Sequence, residues 1–369
     1  MLKIHWFLPT GGDSREVLPE GHDAHWRPPT HDYLAQVATG CEQMGFEGLL
    51  TPCGTGCEDA WLATAALLPL TSRIKFLVAF RPGFLSPTLA AQMASTYQRM
   101  SNGRLLLNIV TGAEPRELNR FGDWLDKEHR YERTGEFLQI MRRAWGDEPF
   151  DAEGTYYHVA GATTREPPQP APPVYFGGAS APALAVAAAH VDVYLTWGEP
   201  PGMAAERIEA VATRAAALGR TLRYGIRFHV ITRPTAAEAW AVADRMLEHI
   251  DDEAIARAQA DFASTMSEGQ RRMARLHGGS RDDLEIHPNV WAGIGLVRGG
   301  AGTALVGSHH EVADRIAEYA ELGFGEFILS GYPHLEEAYW FGEGVMPELR
   351  RRGLIEGDDE QRANVFSFR

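Results

Sequence analysis

Short apolar runs alternate with amphipathic stretches from one end of the chain to the other. The runs are 2–8, 46–51, 73–80, 104–111, 172–178, 191–197, 223–231 and 324–331. Several, such as RLLLNIVT at 104–111, are almost continuously apolar. That fits strands buried on both faces of a parallel sheet better than the alternation of a half-wet one. Between them, 31–45, 58–70, 86–100, 131–145, 181–190, 203–218, 236–250 and 310–322 carry apolar residues at helical spacing, and 336–351 closes the chain. Eight strands with following helices predict an α/β fold of the (β/α)8 TIM-barrel kind. An open doubly wound sheet is the rival, disfavoured by the count of eight and by the lack of an early glycine-rich fingerprint.

Such a barrel needs about 250 residues, and the chain has 369. The surplus falls into three insertions. One is 11–30, polar and proline-rich; one is 112–171, around the helix at 131–145; the longest is 251–309, charged and helical to 277 and then WAGIGLVRGGAGTALVG at 291–307. The expected layout is one domain over 1–350 and a loosely held tail at 351–369.

Lysine plus arginine number 35 and aspartate plus glutamate 49, a net charge of −14. That argues against a nucleic-acid or anionic-membrane partner. No stretch approaches the roughly 20 apolar residues of a membrane span, and the start lacks the long apolar core of a signal peptide. Cys41, Cys53 and Cys57 are odd in number and too few for a disulfide framework. A reduced, cytoplasmic protein is expected. Cys53 and Cys57 have no further ligands at zinc spacing, so no metal is expected.

In a barrel the chemistry sits at the C-terminal ends of the strands and in the loops that follow. Those positions hold Thr10–Asp13, Cys57, Arg81, Asn108, Thr111, Gly177–Ser180, Trp197–Glu199, Arg227, His229, Tyr332 and His334. Arg227 and His229 are two apart on one strand and share a face. A buried arginine there needs either an anionic ligand or an internal acidic partner; the anion site is the favoured reading. Tyr332 and His334 share the same spacing, as a functional or a packed strand-end pair. Gly177-Gly178-x-Ser180 between strand and helix suits a phosphate at a helix N-terminus, or a plain tight turn. Arg298-Gly-Gly-Ala-Gly-Thr303 reads as a flexible lid carrying one cation, or as a surface loop. Cys57, beside Glu58 and Asp59 at an expected helix start, is a polar pocket residue or a buried structural thiol.

WFLPT (6–10), CEDAW (57–61), SNGRLLLNIVTG (101–112), PPVYFGG (172–178), VDVYLTWGEPP (191–201), GIRFHVI (225–231), WAGIGLVRGGAGTALVG (291–307) and LSGYPHLEEAY (329–339) carry a resemblance. Over most of 1–350 the chain resembles the flavin-dependent alkanesulfonate monooxygenases, which are bacterial-luciferase-like proteins. The resemblance implies a luciferase-like (β/α)8 barrel and a two-component enzyme. Reduced FMN (FMNH2) would come from a separate NAD(P)H-dependent flavin reductase, with O2 as co-substrate. An organosulfonate would be cleaved at its carbon–sulfur bond to sulfite and an aldehyde. A homo-oligomer, dimer or tetramer, is implied. So are site residues: Cys57, Arg227, His229, Arg298 and Tyr332 as catalytic, and Trp197 and His334 beside Arg227 and Arg298 against substrate. Arg227 and Arg298 would hold the sulfonate. His229 would hold an oxygen or take a proton from the carbon bearing sulfur. Tyr332 would donate near the flavin, and the 298–303 loop would close to shed water. Asn108, Thr111, Tyr131, Gly177, Gly178 and Ser180 would hold FMN.

The chain departs from that family at its first loops. Gly11 stands where a histidine is usual, and 12–30 is longer and carries Arg15, Glu16, His22, His25 and Trp26. PCGTGCEDAW replaces a Pro-Thr-Gly-Arg-Ser-Cys run. Polar groups at the mouth favour a substrate with hydroxyls to pair with them. A sulfosugar such as sulfoquinovose is therefore favoured slightly over a linear alkanesulfonate. Two rivals stand beside this: a barrel of the same superfamily that transfers hydride with a deazaflavin, and a flavin- or anion-binding protein without turnover.

Overall fold

The computed structural model describes residues 1–18 and 25–357. Eight parallel strands form the barrel: β1 (Lys3–Phe7), β2 (Gly48–Thr51), β3 (Lys75–Phe80), β4 (Leu105–Ile109), β5 (Val174–Gly177), β6 (Val193–Trp197), β7 (Arg223–Arg233) and β8 (Glu326–Ser330). Seven lie within expected runs, and β7 continues two residues past the end of its run at 231. Neighbours pair in chain order, and β8 returns to β1 with Ile4 opposite Phe327. That pairing closes the sheet and excludes the doubly wound alternative. Phe7, Leu50, Leu77, Leu106, Tyr175, Val193 and Ile328 fill the interior as one cluster. The opposite faces pack against the helices in the main core. This two-sided burial is why the strands read as apolar runs.

The helices follow local rules. Thr30 caps His31–Met44 by accepting the Tyr33 N–H, and Gly45 ends it in the left-handed region. Ser308 and Glu311 form a capping box at the head of His309–Glu321. No described helix is long and apolar enough to cross a membrane.

The two longer insertions are built. Residues 112–171 hold helices Pro115–Arg120 and Lys127–Arg143 and an antiparallel hairpin, Phe150–Glu153 with His158–Ala162. Residues 251–309 hold helices Asp252–Ala263 and Glu268–His277, a hairpin at Glu285–His287 and Val290–Trp291, and a strand at Ala304–Ser308. That strand, absent from the expected set, lies parallel to the second half of β7, Ala304 opposite His229 and Ser308 opposite Arg233. β7 has eleven residues and its barrel neighbour β6 only five; the inserted strand takes over where β6 ends. Residues 351–357 are tied rather than loose: Leu354 accepts the Leu2 N–H at 2.7 Å and Ile355 is buried. The rest of the expected tail, 358–369, lies outside the described residues, as does His22.

The barrel floor carries a buried polar knot. Glu326 receives the Tyr175 hydroxyl at 2.7 Å and Arg223 Nη1 at 2.5 Å, and His5 Nε2 lies 3.1 Å away. Burial disfavours its charge, but His5, Tyr175 and Arg223 outweigh that and hold its pKa at about 2. A carboxyl depressed in the folded state stabilises above its unfolded value and loses that contribution as pH falls. Glu326→Gln is therefore expected to flatten the acid dependence of urea unfolding. Roughly 3 kcal/mol of pH-dependent stability should disappear from the window between about pH 4.5 and pH 2.

Candidate active site

A cavity of 320 Å3 opens at the C-terminal ends of the strands, roofed by the helix Glu268–His277. Asn108, Thr111, Tyr131, Gly177, Gly178, Ser180, Trp197 and Arg227 all line it. The cavity has two cationic ends.

At the first, the β5–helix turn presents Gly177 to Ser180. A Cβ at Gly178 would sit 2.6 Å from Ala183 and 3.6 Å from the Tyr131 hydroxyl, so glycine is required for the close turn. Ser180 caps Ala181–His190 in extended conformation, yet its Oγ is buried with no hydrogen-bond partner. Arg207, on helix Pro201–Ala217, lines the same end with Nη2 buried and unpartnered. Lys127 and Arg130 join it, and Arg130 Nε and Nη2 are also unpartnered. Unsatisfied buried donors around a helix N-terminus are what a phosphate satisfies. Arg207 and Arg130 escape the sequence: each sits in an ordinary helix, and only the barrel's curvature brings them to the turn.

At the second end Arg227 projects from β7 with its Cζ 4.7 Å from the Phe7 ring centroid. Nε and Nη2 are buried without partners, and no described carboxylate is in ion-pair range of it. The internal ion pair is thus absent among the described residues. Burial, with Arg298 nearby, pushes the guanidinium pKa down to about 9.

His229 departs from its expected role. It is fully buried, Nε2 lies 3.1 Å from the Ala301 carbonyl and Nδ1 3.0 Å from Ser330 Oγ. A carbonyl only accepts, so Nε2 carries the proton and Nδ1 accepts from Ser330. Burial and the charges of Arg298 and Arg227 push its pKa well below the ordinary value. Neither nitrogen is left for substrate. The ring stacks on Tyr332, centroids 5.3 Å apart, and so sets the tyrosine's position.

The 298–303 loop is not a free lid. Gly300 N–H donates to Gln270 Oε1 at 2.8 Å, Gly295 N–H to the Gly302 carbonyl at 2.8 Å, and Thr303 Oγ1 to the Gly198 carbonyl at 2.7 Å. Gly302 allows close packing: a Cβ there would lie 2.6 Å from Gly295 Cα. Arg298 Nη1 folds back on the Gly299 carbonyl at 3.2 Å. The roof helix is pinned too, by Arg272 on the buried Glu199 at 2.5 and 2.7 Å and by Gly269 against the Trp197 ring.

Cys57 lies in the loop before helix Ala60–Leu67, whose cap is Asp59. Burial raises its pKa, so it is a thiol rather than a thiolate. His334 opens the last helix and pairs with Asp13. Among the described residues no cluster of three or more histidine, cysteine or acidic side chains could hold a metal.

The model of the luciferase-like monooxygenases matches residues 2–326. The chain belongs to that family. Solved structures share the fold of this luciferase-like chain. A long-chain alkane monooxygenase superposes with TM-score 0.78 at 21% identity, covering 97% of this chain and 93% of its own. A riboflavin lyase, solved with modified FMN and riboflavin, gives 0.77 at 20%, covering 96% and 93%. An F420-dependent secondary alcohol dehydrogenase gives 0.68 at 18%, covering 95% and 99%.

Proposed function

We propose that this luciferase-like chain is a two-component monooxygenase that cleaves the carbon–sulfur bond of an organosulfonate, using reduced FMN from a separate NAD(P)H-dependent reductase and O2, and releases sulfite and an aldehyde. The observation that carries the reading is Arg227, a largely buried guanidinium with two unpartnered donors and no counter-ion among the described residues. A sulfonate is a permanent anion whose oxygens accept those N–H groups in a fork.

The other end fits FMN on the same kind of evidence. Ser180 Oγ and Arg207 Nη2 are orphaned donors beside a helix N-terminus, and Gly178 leaves a cradle that a Cβ would fill. Ser180, Arg207 and the Gly177–Gly178 backbone would hold the phosphate, with Tyr131, Asn108 and Thr111 along the cavity wall. Bound FMN supplies the reducing equivalents that activate O2. The protein does the rest. Arg227 and Arg298 orient the sulfonate and offset charge developing on sulfite. His229 keeps Tyr332 and Ala301 in register. The Glu199–Arg272 pair and the Trp197–Gly269 contact keep the roof closed against water.

The favoured substrate is a sulfosugar such as sulfoquinovose. A segment rich in polar side chains at the mouth supports it: Arg27 forks onto Glu336, Asp13 is ionic, and Trp26 covers Gly12. Sulfite release decides, with reductase, FMN, NADPH and O2, and octanesulfonate, methanesulfonate and sulfoquinovose in parallel. Sulfite from sulfoquinovose is the expected outcome. Sulfite from the alkyl compounds alone moves the substrate to a linear alkanesulfonate. FMN bound with no sulfite from any of them overturns the reading.

A further inference from the structure

We propose that Asp13 and His334 are the proton-handling pair of this site, Asp13 positioning the imidazole and His334 Nε2 receiving the proton that leaves the substrate carbon. The inference rests on the desulfonating reading above. The balance of that reaction creates the need. RCH2SO3−, O2 and FMNH2 give RCHO, HSO3−, FMN and water. The carbon loses its bond to sulfur and one C–H bond. The C–H electron pair stays with the carbon fragment as the carbonyl forms, and the hydrogen departs as a proton that a base must take.

Among the described residues, the imidazoles that pack around Phe7 and Tyr332 are His229 and His334. His229 is excluded because both its nitrogens are held by Ala301 and Ser330. His334 is held differently. Its Nδ1 lies 2.7 Å from Asp13 Oδ1, and its backbone N–H donates to Asp13 Oδ2 at 2.8 Å. The Tyr33 hydroxyl donates to the same oxygen. Burial works against the Asp13 charge, but His334 and Tyr33 outweigh it and keep the carboxyl below its ordinary pKa. An ionised carboxylate only accepts, so Nδ1 carries a proton toward Asp13 and Nε2 is the nitrogen left over. Nε2 has no hydrogen-bond partner among the described residues and is not sealed from the space at the mouth. The ring lies 5.2 Å from Phe7, the ring on which Arg227 rests, and edge-on to Tyr332 at 5.4 Å. His334 Nε2 and the anion-binding guanidinium thus flank one aromatic floor.

The pair is rigidly mounted. Asp13 and Arg27 exchange backbone hydrogen bonds at 2.9 and 2.8 Å, and Arg27 forks onto Glu336, in the first turn of the helix that His334 opens. A negative group fixing the tautomer of a histidine, and stabilising the imidazolium once it forms, is a familiar device for a general base. The proton then passes from His334 to departing sulfite or to water.

The test compares wild type, Asp13→Asn and His334→Ala on a sulfonate that the wild type turns over, with hydrogen or deuterium on the carbon bearing sulfur. Each variant is expected to lose about 100-fold or more in kcat with its sulfonate KM changed only a few-fold. The deuterium isotope effect should rise as proton removal becomes slow, and added imidazole should restore part of the His334→Ala rate. FMN binding checks that each variant is folded, and His334→Gln carries the same readouts where the alanine variant is not. Rates within twofold of wild type, or a fall with neither a larger isotope effect nor rescue, overturn the proposal. A wild type that is active beside indifferent variants sinks this inference alone. A wild type that releases no sulfite sinks the desulfonating reading and this inference with it.

Discussion

Arg227→Met is expected to abolish sulfite release and, at the same time, to raise the melting temperature of the ligand-free protein. The two effects have one cause. The guanidinium is held near Phe7 with two donors unpaired and Arg298 close by, and its pKa falls to about 9. The folded state therefore disfavours this charge at any pH below about 9. An apolar side chain of similar length removes the penalty, worth roughly 1–3 kcal/mol because the guanidinium keeps some solvent contact. In the proposed sulfonate complex the same charge would face the anion, and deleting it would leave that anion unpaired. A loss of about 1000-fold in kcat/KM is expected, of the size seen when one member of a buried charge pair is removed. Arg227→Lys should recover only part, since a point charge cannot form the fork. The pH profile follows from the sign of the shift. The free protein loses the cation as pH rises through about 9. The sulfonate KM should then climb about tenfold per pH unit above that point while saturated kcat holds. A variant that loses activity without gaining stability would mean that Arg227 has a protein counter-ion in solution.

Arg207→Ala is expected to lower FMN affinity by about 10- to 100-fold and to leave riboflavin affinity unchanged. The buried, unpartnered Nη2 is poised for a charge, and riboflavin differs from FMN by the phosphate alone. Ser180→Ala should act in the same direction with a smaller effect, about tenfold or less, because a neutral hydroxyl contributes less to binding a phosphate. Anaerobic titration followed by flavin fluorescence reads both ligands. An equal loss for riboflavin would assign Arg207 to the packing of its helix.

The barrel is legible in the sequence because its signal is local and repeated. A strand covered on both faces is apolar along most of its length, and several of the eight runs are almost continuously so. The strand at Ala304–Ser308 is not legible in that way. It is five residues with a glycine inside, and what makes it a strand is the free edge of β7, some 70 positions earlier in the chain. The loop at 298–303 misleads for a related reason. Three glycines look like mobility, yet Gly302 is there because another backbone crosses at contact distance. The site divides similarly. Arg227 is readable, since a charge in an apolar strand must be explained. Asp13 and Arg207 sit among other polar residues, and only the closed barrel shows which of them face inward. Arg227 and His229 share the strand, but the histidine's nitrogens are engaged by Ala301 and Ser330. The backbone carbonyl that occupies the histidine comes from an insertion whose path the sequence does not reveal.

The long second half of β7 also bears on how the mouth can be rebuilt. Beyond Arg227 this strand has outrun β6, and its backbone amides and carbonyls on that side are covered by Thr303 and the strand Ala304–Ser308. An uncovered strand edge is a template for another chain and a route to aggregation. Directed evolution that trims 251–309 to admit bulkier molecules therefore has a fixed lower bound. The helical part can be shortened, but a truncation that also discards 304–308 would trade a wider entrance for an insoluble enzyme.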